Sequence, residues 1–205
     1  MARNKGAVDR REFFRHGGRK VAEAKAQVAT ATVAARAGNW IRPPFAVAEA
    51  EFLLGCTRCG KCAEVCLHDV IFELPGNLGR QVAGTPAMDL RHRGCHMCAD
   101  WPCLAACEPK VLKRSEPKED SPPAPLKLAV LQIDERTCLP YLGSECGACA
   151  HACPVPGALE WEDGVGPVIV QKICTGCALC REACILEPKA IEISVYTPED
   201  AAVNS

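Results

Sequence analysis

The chain is poor in the side chains that usually fill a core. Phe, Tyr and Trp make up 5% of its 205 residues, and because aromatic rings supply much of the buried area of ordinary domains, something else must help hold it together. No apolar run approaches the roughly 18 residues that a membrane-spanning helix needs, so no transmembrane span is expected and any membrane association would come through a partner or a retained N-terminus. There is no Gly-rich dinucleotide fingerprint and no Ser-His-Asp arrangement, which argues against a chain that turns over a substrate of its own.

Charge is unevenly spread. Residues 1–42 carry ten Lys or Arg against three Asp or Glu, and the remainder fourteen against twenty-two, for a net charge of -1. The basic part is a segment without interleaved aromatics ahead of an acidic body, which excludes nucleic acid as an expected partner. Within it, Arg10-Arg11-Glu12-Phe13-Phe14-Arg15 fits the twin-arginine export pattern, followed by an alanine and valine stretch ending in Ala35-Arg36-Ala37. Residues 1–37 therefore read as a signal segment and 38–205 as the body. Glu23, Lys25 and Gln27 interrupt the apolar middle, so an amphipathic helix with Val21, Ala24, Val28 and Ala31 on one face, in a cytoplasmic protein, stays open.

What the chain has is cysteine. Sixteen fall into four sets of four: Cys56, Cys59, Cys62, Cys66; Cys95, Cys98, Cys103, Cys107; Cys138, Cys146, Cys149, Cys153; and Cys174, Cys177, Cys180, Cys184. The numbers of intervening residues are 2-2-3, 2-4-3, 7-2-3 and 2-2-3. Each set ends in C-x3-C and is followed by a short apolar segment (70–74, 111–112, 158–161 and 190–195), so the sequence is an internal repeat. A cubane of four irons and four sulfides wants one thiolate per iron, and a loop with Cys at every third residue bends around three of them. In the bacterial C-x2-C-x2-C-x3-C arrangement the fourth Cys ligates the other cluster of a pair. Zinc would not require three or four cysteines crowded into eleven residues, and a disulfide scaffold would spread its cysteines instead of clustering them. With four thiols in every set, His68, His96 and His151 are expected to lie beside a cluster or in solvent, and Met97 and Trp101 to pack against one.

Taken together, the four sets, the Arg-Arg-x-Phe leader, "RPPFA" (42–46), "AGTP" (83–86), "LAVL" (128–131) and "LEPKAIEI" (186–193) resemble the NapG/MauM group of ferredoxin-type proteins. The resemblance implies a polyferredoxin with four [4Fe-4S] clusters on the sixteen cysteines, exported to the periplasm by the twin-arginine route. It also implies a membrane-bound iron-sulfur partner that oxidises quinol, and a periplasmic electron acceptor in a nitrate reductase-type or methylamine-utilisation pathway. The alternative is a cluster-bearing enzyme or redox sensor with one open iron site, for which Cys138, seven residues ahead of Cys146, would be the missing ligand.

The expected fold class is α+β, as two contacting bacterial-ferredoxin-like lobes that each hold a cluster pair. Segments 126–133 and 166–173 read as strands entering cysteine loops, and the Pro-rich stretch 115–127 as a solvated connection. Two pairings compete: a nested one (sets one with four, two with three), which a resemblance to sixteen-cysteine subunits of molybdenum oxidoreductases favours, and a sequential one. Nesting would have Cys184 reach the set-one cluster and make one cooperative body.

Overall fold

The computed structural model describes residues 40–114, 126–162 and 164–196; the expected leader (1–37) and residues 115–125 of the Pro-rich connection lie outside the described residues. The described elements are short: α1 (Glu49–Gly55), α2 (Lys61–Glu64), β1 (Ile71–Glu73), β2 (Pro86–Met88), α3 (Pro102–Ala105), β3 (Ala129–Ile133), β4 (Leu159–Glu162), β5 (Gly166–Ile169), α4 (Leu179–Ala183) and β6 (Ile191–Val195). Mixed helix and strand with much loop agrees with the α+β class. No described helix is long and apolar enough to cross a membrane.

The strands form three antiparallel pairs, β1 with β2, β3 with β6 and β4 with β5. Three of the apolar segments that follow cysteine sets become strands (β1, β4, β6), and the fourth makes an isolated bridge from Leu112 to Ala46. The two entry strands are shorter than expected. Leu128 N–H donates to the Thr175 carbonyl, so β3 starts only at Ala129, and the Val170 carbonyl accepts the N–H groups of Ile173 and Cys174, ending β5 in a turn.

Two of the sequence motifs interlock. Arg42, whose side chain is only 8% exposed, donates to both Glu49 carboxylate oxygens (Nε 3.0 Å, Nη2 2.6 Å), to Thr85 Oγ1 at 3.0 Å and to the Pro86 carbonyl at 2.7 Å, and its guanidinium lies over the Phe52 ring. A buried guanidinium is tolerable only when its donors are met this fully. Arg42 thereby ties the chain entering the fold to the end of the β1–β2 hairpin.

The main core joins Val70, Ile71, Met88 and Leu90 from the N-terminal half with Leu128, Leu131 and Ile191 from the C-terminal half, and it includes Cys95, Cys103, Cys177 and Cys180. Cysteines thus stand where aromatics would in a richer chain. The halves meet closely: Cys95 N–H donates to the Cys177 carbonyl at 2.7 Å, and Gly94 N–H to the Glu182 carboxylate at 2.7 Å. A Cβ on Gly94 would stand 2.8 Å from the Leu179 backbone nitrogen, so this approach depends on the missing side chain.

Candidate metal centres

Three of the cysteine loops share one backbone shape. In sets one, two and four, the residue before the second cysteine (Arg58, Met97, Gly176) and the residue two before the third (Gly60, Trp101, Ala178) all have positive φ. The first bend turns an N–H onto the first sulfur, with Arg58 N–H to Cys56 Sγ and Gly176 N–H to Cys174 Sγ both at 3.4 Å. The second is the N-cap of α2, α3 or α4, and the third cysteine is the second residue of each of those helices. Set three has neither bend; its long spacer forms a 3-10 turn, Leu139–Leu142, closed by Gly143 at φ 82.

These loops gather the sixteen thiols around four cavities, four thiols to each. Site I is lined by Cys56, Cys59, Cys62 and Cys107, and site II by Cys66, Cys95, Cys98 and Cys103. Site III is lined by Cys153, Cys174, Cys177 and Cys180, and site IV by Cys138, Cys146, Cys149 and Cys184. Every site takes three thiols from one set and the fourth from the neighbouring set.

The nested pairing is therefore corrected: Cys184 sits with set three, Cys66 with set two, and the pairs are sequential. The reason is local. The β1–β2 hairpin lies between sets one and two and the β4–β5 hairpin between sets three and four, so each hairpin folds consecutive sets side by side over a short loop instead of closing one of more than a hundred residues. Cys138, the expected weak ligand, is buried and lines site IV with three other thiols.

The spatial order of the sites differs from that of the sets. Cys95 of site II feels the charge of Cys177 in site III, and Cys180 of site III that of Cys149 in site IV. Sites I and II share the crossing of Cys66 and Cys107. The line runs I, II, III, IV, in which set four precedes set three.

All sixteen cysteines are free, with no disulfide among them. Burial pushes thiols at every site up from the ordinary 9.0, furthest at Cys62 to about 12, Cys95 to about 11, Cys149 to about 11 and Cys180 to about 12, and neighbouring thiols add to it. Exposed Cys59 goes the other way, because the Lys61 N–H and then the Thr57 hydroxyl favour its thiolate. Crowded buried thiolates need a cationic centre between them. A single zinc ion would need four sulfurs at about 2.3 Å from one point, yet among the described residues no group of three or more His, Cys, Asp or Glu is disposed to hold one metal ion. Four thiols around a volume fit a larger group.

Site III adds a separate sign. Thr175 Oγ1, on its wall, is buried without a hydrogen-bond partner among the described residues; burial pushes the nearby Cys177 thiol up, and the Leu179 N–H and then the Thr175 hydroxyl only partly offset that rise. A neutral thiol is a poor acceptor for that hydroxyl and an anionic sulfur a good one, so the donor fits a bound metal-sulfur group. Lys127 lies nearby; burial pulls its ammonium below the ordinary 10.5 while the Cys174 thiol pushes it back.

The histidines line no site as a fourth ligand. His68 and His96 stack flat on each other, with ring centroids 3.5 Å apart at 6°, on the wall of site II, and His151 is exposed. Trp101 lines site II and meets Phe45 edge-on, while Met97 packs against the main core. Lys127, Thr175 and Arg58 were not singled out from the sequence. Thr57 and Thr175 share the second position of C-T-x-C, which was a readable signal; Lys127 had none.

No family model matches the chain, and no solved structure matches it. Among curated proteins it is 37% identical over 171 residues to the ferredoxin-type protein NapG of Haemophilus influenzae, covering 78% of this chain and 60% of that protein. It is 35% identical over 167 residues to the methylamine utilization ferredoxin-type protein MauM of Methylobacillus flagellatus (78% and 70%), and 34% over 167 residues to NapG of Escherichia coli (76% and 71%). The chain thus spans less than two thirds of the Haemophilus relative's length. With its four cysteine sets intact and this likeness running along most of its residues, the chain belongs to the NapG/MauM ferredoxin-type proteins.

Proposed function

We propose that the protein is an electron carrier holding four [4Fe-4S] clusters, one at each site, in two contacting ferredoxin-like lobes. What supports this is the division of sixteen thiols into four groups of four around cavities set in a row. When bound, such clusters supply reversible one-electron reduction and oxidation. The chain's part is to hold and insulate them: three thiols per site come from one loop, whose N–H groups turn onto the first sulfur in sets one and four, and the fourth locks neighbouring loops together. Phe52, Val111 and Leu112 wall site I against water.

The row gives the molecule two ends, site I near exposed Cys59 and site IV beside exposed Trp161 and Ile185, where a donor and an acceptor would approach. Within the family reading, the donor is a membrane-bound iron-sulfur protein that oxidises quinol. The acceptor is a periplasmic enzyme of the nitrate reductase type or of methylamine utilisation, and Arg10 and Arg11 direct export. With four thiols at every site, the alternative of an open iron position loses its structural motive.

Anaerobic reconstitution of the full chain should give about sixteen irons and sixteen sulfides with a visible band that dithionite bleaches. Far fewer irons and no reducible band would overturn the reading. For export, replacing Arg10 and Arg11 with Lys should leave the protein in the cytoplasm, and cytoplasmic residence of both forms would sink that part.

A further inference from the structure

Site III differs from its neighbours in the charge placed around it. The Lys127 ammonium donates to the carbonyls of Gln171 at 2.5 Å, Cys174 at 2.6 Å and Lys172 at 3.3 Å, all on the turn from β5 into the fourth cysteine loop. These described hydrogen bonds include no carboxylate, and the ammonium is partly buried.

The other sites lack this combination. Arg58 at site I makes similar contacts, to the Cys56, Gln81 and Ala83 carbonyls, but it is exposed, so water and salt screen it. Lys189 at site IV donates to the Cys184 carbonyl at 2.5 Å but is paired with Glu187 at 3.3 Å, which offsets its charge. Site II has the stacked rings of half-buried His68 and exposed His96 on its wall, and no lysine or arginine among its lining residues. Partly buried Arg181, on α4, donates to the Arg91 and Ile191 carbonyls, away from the cysteine loops; among the described residues, only site III has a partly buried cation that is bonded to its own cysteine loop and not neutralised by a carboxylate.

A fixed positive charge stabilises the more negative of two charge states, and does so more strongly where water is excluded. The geometry points to Lys127 as the positioning residue of site III: its ammonium favours the reduced state of the cluster held by Cys153, Cys174, Cys177 and Cys180, which makes an interior member of the row the place where an electron rests. This inference builds on the proposed four-cluster reading.

The test uses the full, iron-loaded chain, titrated with dithionite as one-electron donor while electron paramagnetic resonance follows each step. Wild type is compared with Lys127→Gln, whose amide keeps donors for the carbonyls, with Lys127→Met, and with Lys127→Arg, which keeps the charge. One step should shift toward the oxidised form by at least tenfold in both neutral variants, which is 59 mV for one electron. That step should be the one altered in Cys153→Ser, the others should stay, and Lys127→Arg should restore it. Unmoved steps in an iron-loaded Lys127→Gln would overturn the inference, as would an equal shift in Lys127→Arg. So would failure of both neutral variants to take up iron while Lys127→Arg loads, which would mark a folding role. A wild-type chain that binds no iron would instead defeat the four-cluster reading.

Discussion

Sets one and four have the same 2-2-3 spacing and the same loop shape, yet they solve one backbone problem with opposite residues. Set one places Arg58 at the first left-handed position and Gly60 at the second, whereas set four places Gly176 first and Ala178 second. The neighbourhood decides which position must be bare. A Cβ on Gly176 would lie 2.1 Å from the Ala129 carbonyl oxygen in β3, whereas one on Gly60 would meet the flexible side-chain ends of Glu73 and Glu64. Arg58, with room around it, uses the same bend to reach three carbonyls. Equal spacing reports equal loop conformation. It does not report partnership.

The sharpest way to break this comparison is to remove a fourth cysteine. Cys184→Ser should cost the protein about a quarter of its iron, one cluster of four, and leave Cys138, Cys146 and Cys149 open to alkylation, read by peptide mass spectrometry. Cys107→Ser should open Cys56, Cys59 and Cys62 in the same way. If Cys184→Ser opened the set-one thiols, the sequential pairing would be wrong.

Gly176→Ala should destabilise the loaded protein by about 4 kcal/mol, from overpacking against β3 together with the left-handed backbone, and Gly60→Ala by about 1 kcal/mol. Denaturant midpoints check both, and equal losses would show that β3 yields. Arg42→Met should cost about 2 kcal/mol, because the half-buried Glu49 carboxylate, the Thr85 hydroxyl and the Pro86 carbonyl all lose their donor. Thermal unfolding reads that cost, and iron at sites III and IV should survive, since Arg42 touches only the N-terminal half.

The smallest effect lies ahead of set three. The Asp134 carboxylate accepts from Arg136 Nε at 3.0 Å and from Thr137 Oγ1 at 3.1 Å, and Arg136 first of all holds its pKa below the ordinary 3.8. A depressed carboxylate pKa adds stability above the unfolded value that fades as pH falls through the folded one. In iron-free chains, Asp134→Asn should therefore be slightly less stable than wild type near neutrality, with the gap closing below pH 3.8. A gap that persists in acid would trace to lost packing instead.

Much of the site was legible from cysteine alone. The spacing named all sixteen thiols that the fold gathers, and the apolar segments after the sets marked β1, β4 and β6. The pairing was not legible, because the decision rests on two hairpins whose turns bring Cys66 toward set two and Cys153 toward set four. Lys127 was equally hidden: nothing marks a lysine ahead of a strand until the turn at Val170 delivers three carbonyls to it. Arg42 was visible only as part of a motif, and its meeting with Thr85 needed the folded hairpin.

Sequential pairing also bears on how the chain is made. The ligands of sites I and II are complete at Cys107, before any residue of the second half has been synthesised. A nested order would have left Cys56, Cys59 and Cys62 waiting for Cys184. The thiols of the first two sites are therefore all in the chain while the ribosome is still at work, and the Gly94–Cys95 edge of that half is the surface that the fourth cysteine loop meets in the finished fold.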